Sequence, residues 1–149
     1  MVYKFKGKTF NELNIGDEFT TASRTITEAD VVNFAGLSGD FNPLHTDEEF
    51  GKSTPFKGRV AHGMLSVAIA TGLANQLGIF EGTTIALLSM TINYKGAVML
   101  GDTIHLELKV AEKKETSKDD RGIVTFDTIV YDQDNKPIVE GQWVVMLQR

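Results

Sequence analysis

The segment from His62 to Gly78 constrains the fold most, because it contains no charged side chain and is apolar or small nearly all the way round. A helix of this composition is buried on most of its sides instead of lying on a surface. We therefore predict a helix from about His62 to Gly78, roughly 24 Å long at 1.5 Å per residue. Small residues along it predict close approach of neighbouring backbone: Ala68, Ala70, Gly72 and Ala74. The rest of the chain must cover this helix.

The hydrophobic pattern after the helix changes from helical spacing to the alternation that is typical of strands. This alternation predicts four strands, at Ile85–Tyr94, Thr103–Val110, Val124–Val130 and Ile138–Leu147. Turn residues separate them, at Gly101-Asp102, Lys113 to Gly122 and Asp132 to Pro137. Strands with one apolar face suit an antiparallel sheet that packs on a helix. The pattern therefore predicts an α+β fold, in which one face of a twisted antiparallel sheet packs on the buried helix.

The first half of the chain predicts one strand and two further helices. A loose alternation from Glu18 to Ile26 predicts the strand. The residues from Thr27 to Asp30 resemble a capping box, with Asp where Glu or Gln is usual, and predict a helix of about three turns that ends at Gly39. Thr46 to Phe50, with acids in its first turn, predicts another helix start. A basic, turn-rich connection follows from Lys52 to Arg59.

Composition excludes several classes of protein. The 149 residues have the size of one ordinary domain, so we expect a single domain over residues 1–149. The absence of cysteine excludes a disulfide framework, a thiolate zinc site and a cysteine nucleophile. A formal net charge of −5 argues against nucleic acid as a partner. Charges interrupt the apolar residues of the N-terminus, and no window approaches membrane-spanning length. We expect a soluble, cytoplasmic protein without a membrane partner.

The stretch from Ser38 to His45 holds the strongest candidates for chemistry. It sets the Asp40 carboxylate and the His45 imidazole five positions apart in a loop stiffened by Asn42-Pro43. Together the two groups can hold one water molecule by two hydrogen bonds. If a substrate carbon lies over that water, one group can take a proton while the other delivers one, which gains about 10²–10⁴ in rate. The pair alone specifies no reaction.

A place for developing negative charge is expected at the start of the uncharged helix. His62-Gly63 lies there, where unpaired N–H groups and the positive end of the helix dipole collect. A carbonyl oxygen directed at the Gly63 N–H would be stabilised as it became an enolate, and Gly63 has no side chain to block its approach. This combination fits addition of water across a double bond conjugated to a carbonyl.

Structural roles remain open for each of these residues. Asp40 can be a turn residue, His45 a packed histidine, Gly63 a packing glycine and His62 a residue of the helix start or the core. His105 lies on the polar face of a strand and receives no role. A metal site would have to be built from residues without a recognised ligand spacing, namely Asp40, His45, Asp47 and His62. Three cations could meet phosphates of a ligand or could simply be solvated: Lys52, Lys57 and Arg59.

Two motifs together resemble a known family. The stretch from Phe34 to His45, FAGLSGDFNPLH, followed by VAHGML from Val60 to Leu65, resembles the MaoC-like (R)-specific enoyl-CoA hydratases. The resemblance implies a hot-dog fold, in which the sheet wraps around the helix from about His62. It also implies that Asp40 and His45 activate water for syn addition to a trans-2-enoyl thioester, which gives an (R)-3-hydroxyacyl product, or for the reverse dehydration.

The same resemblance implies further features of the site and its partners. The Gly63 N–H would hold the thioester oxygen, and Thr71 falls where some members have a serine, which suggests a site hydroxyl. No metal or redox cofactor is expected, because coenzyme A is part of the substrate. The family forms dimers whose sheets join edge to edge, with the acyl chain entering at the interface; higher oligomers are possible. Apolar residues would close the tunnel, among them Leu65, Ile69, Leu73 and Leu87.

Three alternative functions compete with this hypothesis. A 3-hydroxyacyl-[acyl carrier protein] dehydratase performs the same chemistry on a thioester with the same phosphopantetheine arm. A hot-dog thioesterase commonly has its carboxylate on the long helix, and Met64 to Phe80 contains none. A non-catalytic acyl-thioester-binding protein would have no use for Asp40 and His45.

Overall fold

The computed structural model describes residues 1–149 as one six-stranded sheet with four α-helices. The helices are α1 (Glu28–Ser38), α2 (Pro43–Thr46), α3 (Glu48–Ser53) and α4 (Gly63–Gln76). The strands are β1 (Glu18–Thr20), β2 (Arg24–Thr25), β3 (Thr84–Tyr94), β4 (Thr103–Glu115), β5 (Arg121–Tyr131) and β6 (Pro137–Gln148). A 3₁₀ turn, Phe10–Glu12, precedes β1. No helix is both long enough and apolar enough to cross a membrane.

The sheet is antiparallel throughout, with strand order β1-β4-β5-β6-β3 and β2 paired with β4. Two hairpins, β4–β5 and β5–β6, form its centre, and β3, which precedes them in the chain, pairs with β6 at one edge. The four predicted long strands are confirmed. The turn expected from Lys113 to Gly122 is too long, because both strands continue through its polar residues. Lys113 lies on β4, where its ammonium group covers the Phe10 ring at 4.4 Å and donates to the Leu13 carbonyl.

The single strand predicted from Glu18 to Ile26 is wrong in one respect, because it is broken into β1 and β2. Thr21 lies at the break. Its N–H donates to the Leu106 carbonyl, and its side-chain oxygen accepts from the Leu106 N–H at 2.9 Å. The hydroxyl thus takes the place of a backbone acceptor, and the regular ladder ends there.

Helix α4 packs its apolar side against the sheet. Its buried residues are Leu65, Ser66, Val67, Ile69, Ala70, Leu73 and Ala74. Ala70 and Ala74 are almost fully buried, as close backbone approach requires. Ala68 and Gly72 are exposed, and a Cβ on Gly72 would meet nothing within 4 Å. The predicted burial of the helix is therefore confirmed for the face of α4 toward the sheet. The opposite face is exposed within this chain, so the prediction is wrong there.

Helices α1 to α3 form a segment that lies over the start of α4. The capping box is confirmed, since Asp30 N–H donates to the Thr27 hydroxyl and the Asp30 carboxylate accepts from Thr27 N–H. Gly39 ends α1 in a left-handed conformation, with φ of 77°. The stretch from Ser38 to His45, predicted as a loop, is helical in its second half. The Asn42 side chain caps α2 by accepting from the Leu44 N–H, and Pro43 is the first residue of this helix.

The side chain of Arg59 ties this segment together. It forms a bidentate pair with Glu28 of α1, at 2.6 and 2.8 Å, and a third hydrogen bond with Glu48 of α3 at 3.0 Å. Lys52 is paired with Glu49 at 2.8 Å. Arg59 is therefore neither solvated nor free to meet a phosphate, because its donors are occupied within the protein.

Candidate active site

The backbone around Asp40 points its carboxylate toward His45. Asp40 N–H donates to the Ser38 hydroxyl at 3.2 Å, and Oδ1 of Asp40 accepts from Asn42 N–H at 3.2 Å. The second oxygen, Oδ2, lies 3.9 Å from Nε2 of His45. This distance exceeds a hydrogen bond, but a water about 2.8 Å from each atom fits between them. The Asp40 side chain is half exposed, whereas that of His45 is 12% exposed.

The ring of His45 is fixed by a hydrogen bond to the chain just before α4. Its Nδ1 lies 2.7 Å from the Val60 carbonyl, and Val60 N–H donates back to the Leu44 carbonyl at 3.2 Å. Because a carbonyl only accepts, Nδ1 carries the proton and Nε2 presents a lone pair toward Asp40. Nε2 of His45 is therefore the atom that can take a proton from a molecule in the gap.

His62, which the sequence favoured as a helix-start or core residue, contacts both members of the pair. Its Nε2 donates to the Asp40 carbonyl oxygen at 2.9 Å, and its ring stacks on the His45 ring with centroids 3.8 Å apart. The residue is 3% exposed, and its Nδ1 has no hydrogen-bond partner. No signal in the sequence predicts these two contacts, because they join His62 to residues 17 and 22 positions earlier in the chain.

Gly63 is the first residue of α4, and its N–H finds no acceptor among the backbone carbonyls. The structure adds a second reason for glycine. A Cβ at this position would lie 2.6 Å from the Tyr94 ring, which packs against the Gly63 backbone. Burial raises the pKa of the Tyr94 hydroxyl, so it stays protonated at neutral pH.

These groups share one cavity of about 570 Å³. Its walls are formed by Phe34, Ser38, Asp40, Leu44, His45, Val60, Ala61, His62, Gly63, Met64, Ser66, Tyr94, Gly96, Ala97, Val98, Ile138 and Val139. Ten of these seventeen residues are hydrophobic, which suits a ligand with a long apolar part and few polar groups.

The structure does not bring Thr71 into this cavity. Its hydroxyl donates to the Ala68 carbonyl at 2.7 Å, and its side chain lines a separate cavity of about 110 Å³ together with Leu87. The residues expected to close an acyl tunnel do not line the Asp40 cavity either: Leu65 and Ile69 border a third cavity beside Gly72. Within one chain, the sequence-predicted residues that meet are Asp40, His45 and Gly63.

A metal ion is poorly suited to this arrangement. Donor atoms of Asp40, His45 and His62 lie within 4.8 Å of one another. However, the two imidazole rings are stacked with centroids 3.8 Å apart, so the lone pairs of their free nitrogens lie in nearly parallel planes and do not converge on one point. Asp47 is not part of this cluster, and Oδ1 of its carboxylate caps α3 by accepting from the Phe50 N–H.

Comparison with known sequences gives consistent results. The chain matches the MaoC-like domain family over residues 10–131. It is 34% identical to an (R)-specific enoyl-CoA hydratase from Aeromonas caviae over 84% of this chain and 89% of the relative. A second (R)-specific enoyl-CoA hydratase, from Rhodospirillum rubrum, is 34% identical over 93% and 90%. A mitochondrial 3-hydroxyacyl-[acyl-carrier-protein] dehydratase from Arabidopsis thaliana is 28% identical over 91% and 78%.

Solved structures show the same architecture. A monoamine oxidase regulatory protein from Archaeoglobus fulgidus superposes with a TM-score of 0.89 and 32% identity, covering 96% of this chain and 95% of that one. The Aeromonas caviae (R)-hydratase gives a TM-score of 0.75 and 32% identity, over 89% and 96%. A Mycobacterium tuberculosis protein with a double hot-dog fold gives 0.83 at 17% identity, over 95% and 44%. The predicted α+β hot-dog fold is thereby confirmed.

Proposed function

The chain belongs to the MaoC-like dehydratase family, and we propose that it is an (R)-specific enoyl-CoA hydratase. The reaction is syn addition of water to a trans-2-enoyl-CoA, giving (R)-3-hydroxyacyl-CoA, or the reverse dehydration. One observation carries the proposal: Asp40 Oδ2 and His45 Nε2 are 3.9 Å apart, in a cavity that Gly63 also lines. That spacing suits a water molecule that donates to both Asp40 Oδ2 and His45 Nε2. We propose that the Gly63 N–H beside them donates to the carbonyl oxygen of the substrate.

In the proposed mechanism, Asp40 and His45 act on the water and Gly63 acts on the thioester. A water donates its hydrogens to Asp40 Oδ2 and His45 Nε2, and its oxygen bonds to C3 of the enoyl group. The electron pair of the C2–C3 double bond moves into the thioester carbonyl, whose oxygen accepts from the Gly63 N–H. The proton taken by the pair then passes to C2. Both additions occur from the side that faces Asp40 and His45, so the addition is syn.

The surroundings of His45 favour its Nε2 as the proton acceptor in the forward direction. Once protonated, Nε2 lies 3.9 Å from the Asp40 carboxylate, while Nδ1–H keeps its bond to the Val60 carbonyl. The positive charge thus has a carboxylate and a carbonyl beside it. Water, the thioester and the residues of this cavity suffice for every step, so we propose that the reaction uses no metal or redox cofactor.

We also propose that the working form is a homodimer joined at β3. This strand is a sheet edge, so one side of its backbone is not paired within the chain. Three large apolar residues on it are 40–50% exposed: Ile85, Leu87 and Leu88. A second copy would cover them and extend the sheet. The exposed face of α4, with Ala68 and Gly72, is a further surface that a partner could cover.

A second candidate is a 3-hydroxyacyl-[acyl-carrier-protein] dehydratase, which the Arabidopsis thaliana relative favours. The acyl group and its phosphopantetheine arm are identical in the two substrates, so the cavity does not discriminate between them. The difference would lie in surface contacts with the carrier.

A substrate panel tests the proposal. Crotonyl-CoA and crotonyl-[acyl carrier protein] are compared by loss of the conjugated thioester absorbance, and the product is resolved on a chiral column. We expect (R)-3-hydroxybutyryl-CoA, with kcat/KM at least about tenfold higher for the CoA thioester than for the carrier thioester. A preference for the carrier would favour the second candidate, and free thiol release without hydration would indicate a thioesterase.

A further inference from the structure

His62 is placed to control the geometry of the pair through one hydrogen bond to Asp40 and one ring contact with His45. Its Nε2–H holds the backbone carbonyl of Asp40 at 2.9 Å, and its ring lies against the ring of His45 at 3.8 Å. The residue is separated from Asp40 by 22 positions in sequence. It therefore joins the start of α4 to the segment that carries both acid–base groups.

An imidazole at this buried position is costly if it serves only to fill space. His62 is 3% exposed, and its Nδ1 has no hydrogen-bond partner. A buried polar atom without a partner destabilises the folded state, whereas an apolar ring of similar size would avoid that cost. The Phe34 ring, 5.0 Å away, would suit such an apolar ring equally well. What an apolar ring would lose is the hydrogen bond from Nε2 to Asp40.

We propose that His62 is a positioning residue for the hydration, an inference that rests on the proposed function. The hydrogen bond fixes the backbone from which the Asp40 carboxylate projects, and the stacked ring fixes the plane of His45. The two contacts together set the 3.9 Å gap that receives water. Because misplacement of a reacting group by about 1 Å can cost on the order of 100-fold in rate, loss of either contact lowers kcat.

Two substitutions separate the contacts. His62→Phe keeps a ring that stacks on His45 but removes the donor to Asp40, and His62→Gln keeps an N–H donor but removes the ring. We expect His62→Phe to lower kcat for crotonyl-CoA by about 10- to 100-fold with KM changed less than about threefold. His62→Gln should recover part of this loss, because the Asp40 carbonyl regains a donor.

Thr83→Val is the matched control. Thr83 Oγ1 is also a buried polar atom without a partner, but Thr83 lies beside β3 and does not line the Asp40 cavity. Its replacement should leave kcat unchanged. If His62→Phe also leaves kcat unchanged in an enzyme that Asp40→Asn inactivates, the positioning role is wrong and the proposed function stands.

A crystal structure of His62→Phe tests the inference independently of activity. We expect the Asp40 carbonyl to lose its fixed position and the distance from Asp40 Oδ2 to His45 Nε2 to depart from 3.9 Å by about 1 Å or more. An unchanged gap would overturn the proposal even if the wild-type chain proved inactive toward every enoyl thioester. Inactivity of the wild-type chain would instead count against the proposed function.

Discussion

The separation between Asp40 and His45 is set by groups that lie elsewhere in the chain. Val60 supplies the carbonyl that orients the His45 ring, and His62 supplies the donor that holds the Asp40 backbone. The side chains of the pair make no direct hydrogen bond with each other. A pair arranged in this way is preorganised by its surroundings, which is the condition for efficient proton transfer.

Replacement of Gly63 by alanine tests the role of Tyr94. The new Cβ would lie 2.6 Å from the Tyr94 ring, so we expect the variant to lose about 1–3 kcal/mol of stability, as overpacking usually costs. In a Tyr94→Ala background the same change should cost much less, because the clash is removed and alanine keeps the backbone N–H. Urea unfolding of all four proteins measures this coupling. Equal costs in both backgrounds would show that Tyr94 is not the constraint.

The sequence was sufficient for the identity of the candidate residues but not for their arrangement. Residue type and position made Asp40, His45 and Gly63 candidates, and the resemblance of the two motifs to a known family favoured them over structural roles. The role of His62 could not be predicted, since it depends on a stack and a hydrogen bond across 22 positions. Thr71 shows the opposite case, because sequence similarity suggested a site hydroxyl that the fold directs into another cavity.

At the scale of elements, Arg59 links the segment from α1 to α3. Its pairing with Glu28 lowers the pKa of that carboxyl, chiefly through the hydrogen bond from the guanidinium. Asp30, in the cap of α1, also has a lowered pKa: burial opposes the charge, but hydrogen bonds from Thr27 and the nearby Arg24 outweigh it. Both carboxylates therefore stabilise the folded segment only while they are ionised.

The ion pair between Glu28 and Arg59 predicts that the stability of the folded chain falls at acidic pH. Because the pKa of Glu28 is lower in the folded chain, its stabilisation is complete above the unfolded value of about 4.3 and is lost as the pH falls through the folded value. We expect Glu28→Gln to lower the urea midpoint at pH 7 and to have a smaller effect at pH 3. Glu112→Gln is the control, since Glu112 is exposed and forms no ion pair. A Glu28→Gln effect that is equal at both pH values would contradict this account.

The boundaries of elements were predictable where local chemistry determines them. The capping box at Thr27 and the glycine at position 39 predicted the bounds of α1, and the acids within Thr46 to Phe50 predicted the start of α3. The break at Thr21 was not predictable, because it depends on a side-chain hydrogen bond to Leu106 on another strand. The length of the β4–β5 hairpin was underestimated for a similar reason: Lys113 is stabilised on its strand by Phe10 and Leu13.

At the scale of the whole molecule, two surfaces suit a partner. The alternation of apolar residues predicted that the sheet would pack on α4, and it does. The uncharged composition of α4 did not distinguish a face buried by its own sheet from a face left for another chain. Ala68 and Gly72 lie on the face of α4 that is exposed within this chain. The apolar residues Ile85, Leu87 and Leu88 of the β3 edge are likewise exposed within this chain.

Leu87→Asp tests the proposed dimer. Leu87 is 50% exposed on β3, and a carboxylate there would be buried without a partner in the interface. Light scattering after size exclusion should give a dimer for the wild-type chain and a monomer for Leu87→Asp. Ile15→Asp is the control, because Ile15 is 66% exposed and lies near β1 at the opposite edge of the sheet. A monomeric wild-type chain at micromolar concentration would refute the proposal.

The central claim is that Asp40 and His45 together activate water in front of the Gly63 N–H. The most direct test is the rate of crotonyl-CoA hydration by Asp40→Asn and His45→Gln, with circular dichroism and oligomeric mass as controls for folding. We predict that each variant keeps the wild-type fold and loses about 10²- to 10⁴-fold in kcat, since each loses one of the two groups that hold the water. Wild-type kcat in either variant would contradict the mechanism.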